Sequence, residues 1–301
     1  MHTYAADIAS STARLATAIA RVARNDGDHV TALPPLSLHR RSGPTKPLHC
    51  VYGLGLGVVA QGSKQVLLGE AVIDYAPGQS MLTTIDAPVI AHVARADAQQ
   101  PFLGLFLSLD PHMLTQLAAG MDGIRRPDER TRRAISVEAL DVPLLDALVR
   151  LVDLLDEPAL LPSLAPLVQQ ELCIRLLRGP HGAHLQALVA TGSPSQQIAR
   201  AVAWLKLHFR EPLQVEDLAT RAHMSATTFR QHFRAITGTS PLQFQKQLRL
   251  QEARQLMLHE HVDASHASHR VGYESASQFS REYARLFGEP PQRDVRRMRA
   301  S

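Results

Sequence analysis

Cysteine is almost absent from this chain: Cys50 and Cys173 are the only two in 301 residues. Two cysteines build no disulfide framework, which points to a reducing compartment. Long apolar runs are missing too, and no stretch approaches the roughly 18 residues of a membrane span. The opening segment, "MHTYAADIASSTARLATAIARVARNDGDH", is too polar and too interrupted for a secretory h-region. It reads instead as an amphipathic helix with Ile8, Leu15, Ile19 and Val22 on one side. Metal-ligand patterns are equally scarce. His259, His261, His266 and His269 crowd together, but only His266 and His269 share a helical face, and no carboxylate or cysteine pattern accompanies them. His39, His49 and His92 are scattered. No nucleophile–base set is recognisable. The expectation is a soluble cytoplasmic protein, not an enzyme, with no metal and no cofactor.

What is present is uneven. Hydrophobic residues make up 45% of the chain, so packed cores can form, and the length suits about two domains. Residues 1–195 carry 16 Lys+Arg against 18 Asp+Glu, whereas residues 196–301 carry 16 against 10. The basic excess therefore lies wholly in the C-terminal third, which favours a polyanionic partner there. Residues 50–109 show short apolar runs separated by Gly-Ser and Pro-Gly turns, the pattern of an antiparallel sandwich or small barrel. Residues 111–190 read as helices, with Leu144, Leu148, Leu151 and Leu155 forming one buried stripe and Leu164, Leu167, Leu172 and Leu176 another. They suit a packing or dimerisation layer. "RRPDERTRRAI" (125–135) reads as a charged loop, and "TGSPSQ" (191–196) as a polar linker.

The last third contains a repeat. "SATTFRQHFRAITGTSP" (225–241) and "SASQFSREYARLFGEPP" (275–291) share five identical positions. Each starts on a serine suited to cap a helix. Each carries an apolar stripe at helical spacing: Phe229, Phe233 and Ile236 in the first, Phe279, Tyr283 and Leu286 in the second. Each stops at a glycine, Gly238 or Gly288. Before the first lies "LQVEDLATRAHM", a short helix with Val215, Leu218 and Ala219 inward and a tight turn. Helix, turn and second helix with an exposed Arg/Gln face form the helix-turn-helix pattern. The helix preceding the second copy, "DASHASHRVGY", is unusually polar.

Between the copies runs "PLQFQKQLRLQEARQLML" (241–258), with Phe244, Leu248 and Leu256 inward. Eighteen helical residues span about 27 Å. One turn of B-DNA is roughly 34 Å. A stiff helix of this length can hold two reading helices near successive major-groove segments on one side of a duplex.

On these residues, 197–301 resembles the DNA-binding domain of AraC/XylS-type bacterial transcription regulators, carried by "LATRAHMSATTFRQHFRAITGTSPLQFQKQLRLQEARQLM" and "RVGYESASQFSREYARLFGEPP". The N-terminal part resembles the regulatory domain of one subgroup, through "VVAQGSKQVLLGEAVIDYAPGQSMLTTIDAPV" and "LAPLVQQELCIRLLRGPHGAHLQAL". The resemblance implies an α+β chain: a cupin-like antiparallel β-sandwich or barrel with a helical subdomain, then an all-α domain with two helix-turn-helix units joined by a linking helix. It divides the chain into a regulatory part, 1–190 (helical start, barrel about 30–109, helices about 111–190), a linker at 191–196 and a DNA-binding part, 197–301. It implies double-stranded promoter DNA, RNA polymerase and a small-molecule effector as partners, and a homodimer. It implies base contacts from Thr227, Arg230 and Gln231 in the first unit and from Ser277, Gln278 and Arg281 in the second. Arg pairs bidentately with guanine and Gln with adenine. Ser225, Arg234, Lys246, Arg249, Ser275 and Arg285 suit phosphates, which position without specifying.

Two departures stand out. Ala267 and His269 replace larger apolar residues, which predicts a loosely packed first helix in the second unit. "YGLGLG" (52–57) is unusually glycine-rich, which predicts a bulge or a close backbone approach. Tyr52 and His92 are candidates for the effector pocket or for the core. Cys50 reads as a small buried residue rather than a sensor thiol. The Arg-rich end, "RDVRRMRA", reads as a solvated tail. The alternatives to an effector-controlled regulator, expected to be an activator, are an architectural DNA-binding protein without an effector and a cupin-type enzyme with an accessory DNA-binding domain.

Overall fold

The computed structural model describes residues 2–121 and 133–299, with side chains from residue 6 onward. The stretch 125–132 of the expected charged loop lies outside the described residues. The chain opens with α1 (His2–Val22), whose Leu15 and Ile19 are fully buried, with Ile8 and Val22 packed at the margin.

Nine strands follow among the described residues: β1 (Gly27–Val30), β2 (Leu36–Arg41), β3 (Leu48–Tyr52), β4 (Gly55–Gln61), β5 (Ser63–Leu68), β6 (Ala71–Tyr75), β7 (Gln79–Thr83), β8 (Ala87–Arg95) and β9 (Phe102–Ser108). After α2 (Pro111–Ala119) comes a tenth, β10 (Ile135–Ala139). They form a six-stranded sheet, β1-β2-β9-β4-β7-β10, and a four-stranded sheet, β3-β8-β5-β6. Every pairing is antiparallel. β10 corrects the expectation that 111–190 is purely helical. Its five residues run along the edge of β7, from Ile135 opposite Thr83 to Ala139 opposite Gln79, and satisfy that edge's backbone groups.

The glycine-rich stretch is a close approach. A Cβ on Gly55 would lie 2.4 Å from the Phe106 ring, so only glycine lets that ring cross β4. The bulge itself lies further on, where the β4–β9 register shifts between Val59 and Gln61.

The helical layer comprises α3 (Val142–Asp153), α4 (Leu161–Arg178) and α5 (Gly182–Val189). Leu144, Leu148 and Leu151 are buried, and Leu155 packs partly against them. On α4 the expected stripe splits. Leu172 and Leu176 are buried, but Leu164 and Leu167 are 38% and 60% exposed, and Leu160 beside them is 46% exposed. Positions 160, 164 and 167 share one face of a helix, so this is a second apolar stripe turned outward.

The remaining helices are α6 (Pro194–His208), α7 (Val215–Arg221), α8 (Ala226–Thr237), α9 (Pro241–His259), α10 (Ala264–Arg270), α11 (Ala276–Phe287) and α12 (Pro291–Arg299). α6 begins at Pro194, inside the stretch expected to be a linker, because Ser193 caps it by accepting from the Gln196 N–H at 3.0 Å.

The two parts of the chain are in contact. One apolar cluster joins Val59, Val66, Met81 and Val89 of the sheets to Ile198, Leu205, Phe229, Phe233 and Phe244 of the helices. The Ala134 N–H donates to the Ile236 carbonyl at 3.0 Å, and Lys206 pairs with Asp86 at 3.0 Å. The turn after β5 meets the end of α8 backbone to backbone: a Cβ on Gly69 would lie 2.6 Å from the Gly238 carbonyl oxygen. β3 reaches the other unit, where Gln251 donates to the Cys50 carbonyl at 3.2 Å and the His49 ring stands edge-on to Phe287 at 5.0 Å.

Candidate nucleic-acid interface

Local sequence sets both reading helices. Ser225 accepts from the Thr228 N–H at 3.2 Å, and Ser275 accepts from the Gln278 N–H at 3.3 Å. Such caps contribute about 1 kcal/mol each. Gly238 (φ 76°) and Gly288 (φ 81°) end the two helices in the left-handed conformation. The helices therefore occupy 226–237 and 276–287, as the repeat predicts.

The turns also correspond. The Met224 N–H donates to the Ala219 carbonyl and the Tyr273 N–H to the Ser268 carbonyl, both at 2.9 Å. His223 (φ 52°) and Gly272 (φ 86°) take the same left-handed place in the two turns. The second turn is longer by one residue, Glu274.

Beneath the helices lie aromatic stripes. Phe229 and Phe233 are fully buried, with Phe233 edge-on to Phe244 at 5.4 Å. Phe279 and Tyr283 are fully buried in the second unit. α9 belongs to both cores. Its Phe244 and Leu248 join the first, and Leu250, Ala253, Leu256 and Met257 join the second. The single inward stripe expected on this helix is thus two stripes on different faces, one for each unit.

α10 is not loosely packed. Ala267 and Ser268 are fully buried, while His269 faces solvent and has no core position to fill. His266 bonds Asp263 at 2.7 Å. The Arg-rich end is a docked helix rather than a solvated tail. Asp294 is fully buried and accepts from Arg254 at 3.0 Å, Tyr283 at 2.9 Å and Arg297 at 2.6 Å. That network fixes α12 to α9 and α11.

Thr227, Arg230, Gln231 and Arg234 are exposed on α8, and Ser277, Gln278, Arg281 and Arg285 are exposed on α11. The caps Ser225 and Ser275 are exposed as well. Arg230 is steadied by Glu216 of α7 at 2.6 Å. Glu282, which sequence reasoning missed, is a hub. It takes Lys246 at 2.7 Å and Gln278 at 3.2 Å on one oxygen, and the Tyr273 hydroxyl at 2.8 Å on the other. Burial pushes its carboxyl up, but Lys246, Tyr273 and Gln278 outweigh this and hold it below the usual range. Arg249 corrects the phosphate expectation. Its guanidinium donates to the carbonyls of Phe209 (2.6 Å), Gly272 (2.9 Å), Arg210 (3.0 Å) and Glu211 (2.9 Å), tying the end of α6 to the second turn.

Between the two sheets lies a cavity of about 180 Å³. Tyr52 lines it, whereas His92 sits outside it on β8 with its Nδ1 buried. Lys64 also faces it, with its Nζ 5.3 Å from the centre of the Tyr52 ring. The signal for Lys64 was available: it shares the inward face of β5 with Val66 and Leu68. At the cavity rim, His39 bonds Asp28 at 2.7 Å and Ser37 at 3.2 Å. Burial raises the Cys50 thiol to about 11, which keeps it from being a reactive thiolate at neutral pH. Among the described residues, no group of three or more His, Cys, Asp or Glu could hold a metal ion, and no helix is long and apolar enough to cross a membrane.

Two capped reading helices on a shared spine, joined to an antiparallel β-sandwich, define a helix-turn-helix DNA-binding regulator with an N-terminal regulatory part. The comparisons agree. The family described as AraC-type transcriptional regulator N-terminus matches residues 32–184, and a helix-turn-helix domain matches residues 218–297. The chain belongs to the AraC-type transcriptional regulators. It is similar to the transcriptional regulator ExsA of Pseudomonas aeruginosa, at 25% identity over 242 residues, covering 79% of this chain and 84% of ExsA. It is 33% identical over 98 residues to the transcriptional activator RhaS of Escherichia fergusonii, covering 33% and 35%. Apo ToxT from Vibrio cholerae shares the fold, with a TM-score of 0.56 at 9% identity over 87% of this chain and 97% of ToxT. ToxT with a bound unsaturated fatty acid gives a TM-score of 0.55 at 8% identity, over 90% and 97%.

Proposed function

We propose that this regulator reads a bipartite DNA site with α8 and α11 in successive major-groove segments, under control of a small molecule held by its N-terminal part. The observation that carries this reading is the duplicate unit, with the same cap, buried aromatic stripe, left-handed stop and exposed polar face built twice on one helix. Thr227, Arg230 and Gln231 read bases in one segment, and Ser277, Gln278 and Arg281 in the next. Ser225, Arg234, Ser275 and Arg285 hold phosphates. Lys246, paired with Glu282, sets the position of Gln278 and contributes to the phosphate-facing surface. The regulatory part ends near residue 190, and the reading part begins with α6.

The protein acts in the cytoplasm as a homodimer, without catalysis, and recruits RNA polymerase as an activator. The outward stripe of Leu160, Leu164 and Leu167 supports self-association. A bound ligand in ToxT supports effector control.

Selection of bound sequences from random DNA tests the reading. The expected result is a motif in two parts, one helical turn apart. Arg281→Ala should weaken binding to that motif by about 1–3 kcal/mol and leave nonspecific DNA little changed. Equal loss on both would assign Arg281 to the backbone, and a single short motif would remove the second reading head.

A further inference from the structure

The Lys64 ammonium is the unusual group in the sandwich. It projects from the inward face of β5 into the cavity, against the Tyr52 ring. Among the described residues no carboxylate lies within ion-pair distance of it. Asp28 acts on it through space, but its Oδ1 is already engaged by His39 and Arg41, each at 2.7 Å. Burial pulls the Lys64 pKa below its ordinary value, with Cys50 and Asp28 opposing and Arg41 adding to the fall. Lys64 is partly buried, and a partly desolvated cation without a counter-ion lowers the stability of the fold that holds it. Ser37 and His39 line one part of the wall, and the rest is largely apolar and aromatic, with Met81, Phe102 and Phe106 along it and Tyr75 closing one side.

Resting on the effector-controlled reading above, we propose that the ligand of this cavity is a small organic monoanion. Its carboxylate pairs with Lys64, and its apolar body lies against Met81, Phe102 and Phe106. The volume sets the size. A cavity of about 150 Å³ holds a benzene ring. The 180 Å³ here therefore takes roughly six to nine non-hydrogen atoms within its walls. Tyr52 stacks beside the ion pair and ties it to β3, the strand that also carries His49 and Cys50 to the second reading unit.

The test uses the full chain and matched pairs of probes: benzoate with benzamide, and straight-chain acids of four to seven carbons with their amides. Thermal midpoints are measured at rising concentration. At least one acid should raise the midpoint by about 5–10 °C at a hundredfold excess over its Kd, and its amide should not. Lys64→Met should raise the midpoint of the ligand-free protein and abolish the response to the acid. Amides that stabilise as well as acids, a panel with no response, or a Lys64→Met chain that still responds each overturn the proposal. The acid–amide comparison needs no variant, so a misfolded variant does not decide it. Gel-shift binding of the same preparation to the selected DNA is read separately. Its loss counts against the DNA-reading function and not against the ligand class.

Discussion

Replacing Arg249 separates two physical roles for one charge. In the structure its guanidinium donates to four backbone carbonyls, two in partly buried positions (Phe209 and Gly272) and two in exposed ones (Arg210 and Glu211). Water can replace the exposed pair, so their loss costs little. The partly buried pair loses charge-assisted bonds worth about 1.5–2 kcal/mol each, and the end of α6 loses a cation near its negative pole. Arg249→Ala should therefore lower unfolding stability by about 3–4 kcal/mol. Arg249→Lys should recover less than half, because an ammonium lacks the planar fork that spans the carbonyls. Urea unfolding measures the loss. Binding to the selected DNA across a salt series measures the other role, and the slope of log K against log salt should stay unchanged. A variant of near wild-type stability whose slope falls by about one would refute the reasoning and return Arg249 to the DNA backbone.

Two further substitutions probe the fold. His181 is buried between Ser80 (2.9 Å) and Ser136 (3.1 Å), and burial, helped by His184, lowers its pKa to about 3. The unfolded chain binds its proton near pH 6.5, so this group's stability is complete above that and drains away as pH falls toward 3. It should contribute about 2 kcal/mol less at pH 5 than at pH 7, and His181→Gln should flatten the urea-midpoint profile over that range. An equally steep profile in the variant would locate the titration elsewhere. His223 holds a left-handed conformation that the equivalent Gly272 adopts without strain. His223→Gly should raise stability by about 1 kcal/mol, and an unchanged or lower urea midpoint would show that its side chain matters more than its backbone.

Much of the reading surface was legible because its determinants are local. Cap, stripe and stop all fall within a dozen residues, so α8 and α11 could be bounded from the sequence. α9 was only half legible. A helix that turns one face to one core and another face to the next loses the single period on which the reading depends. Leu164 and Leu167 obey helical spacing, but spacing does not tell an inward face from an outward one. Arg249 failed for a related reason: sequence shows a charge, not whether a phosphate or a carbonyl will meet it. β10 is short and gains its identity only from the open edge of β7. Glu282 looks like one more surface acid until Lys246, Tyr273 and Gln278 are brought around it.

Gly69 and Gly238 bring the β5 turn and the end of α8 together backbone to backbone. A side chain at either position would force the two backbones apart, so both positions are closed to larger residues. The same strand carries Lys64 at its other end. The cavity wall and the foot of the first reading helix are therefore neighbours along a single six-residue strand.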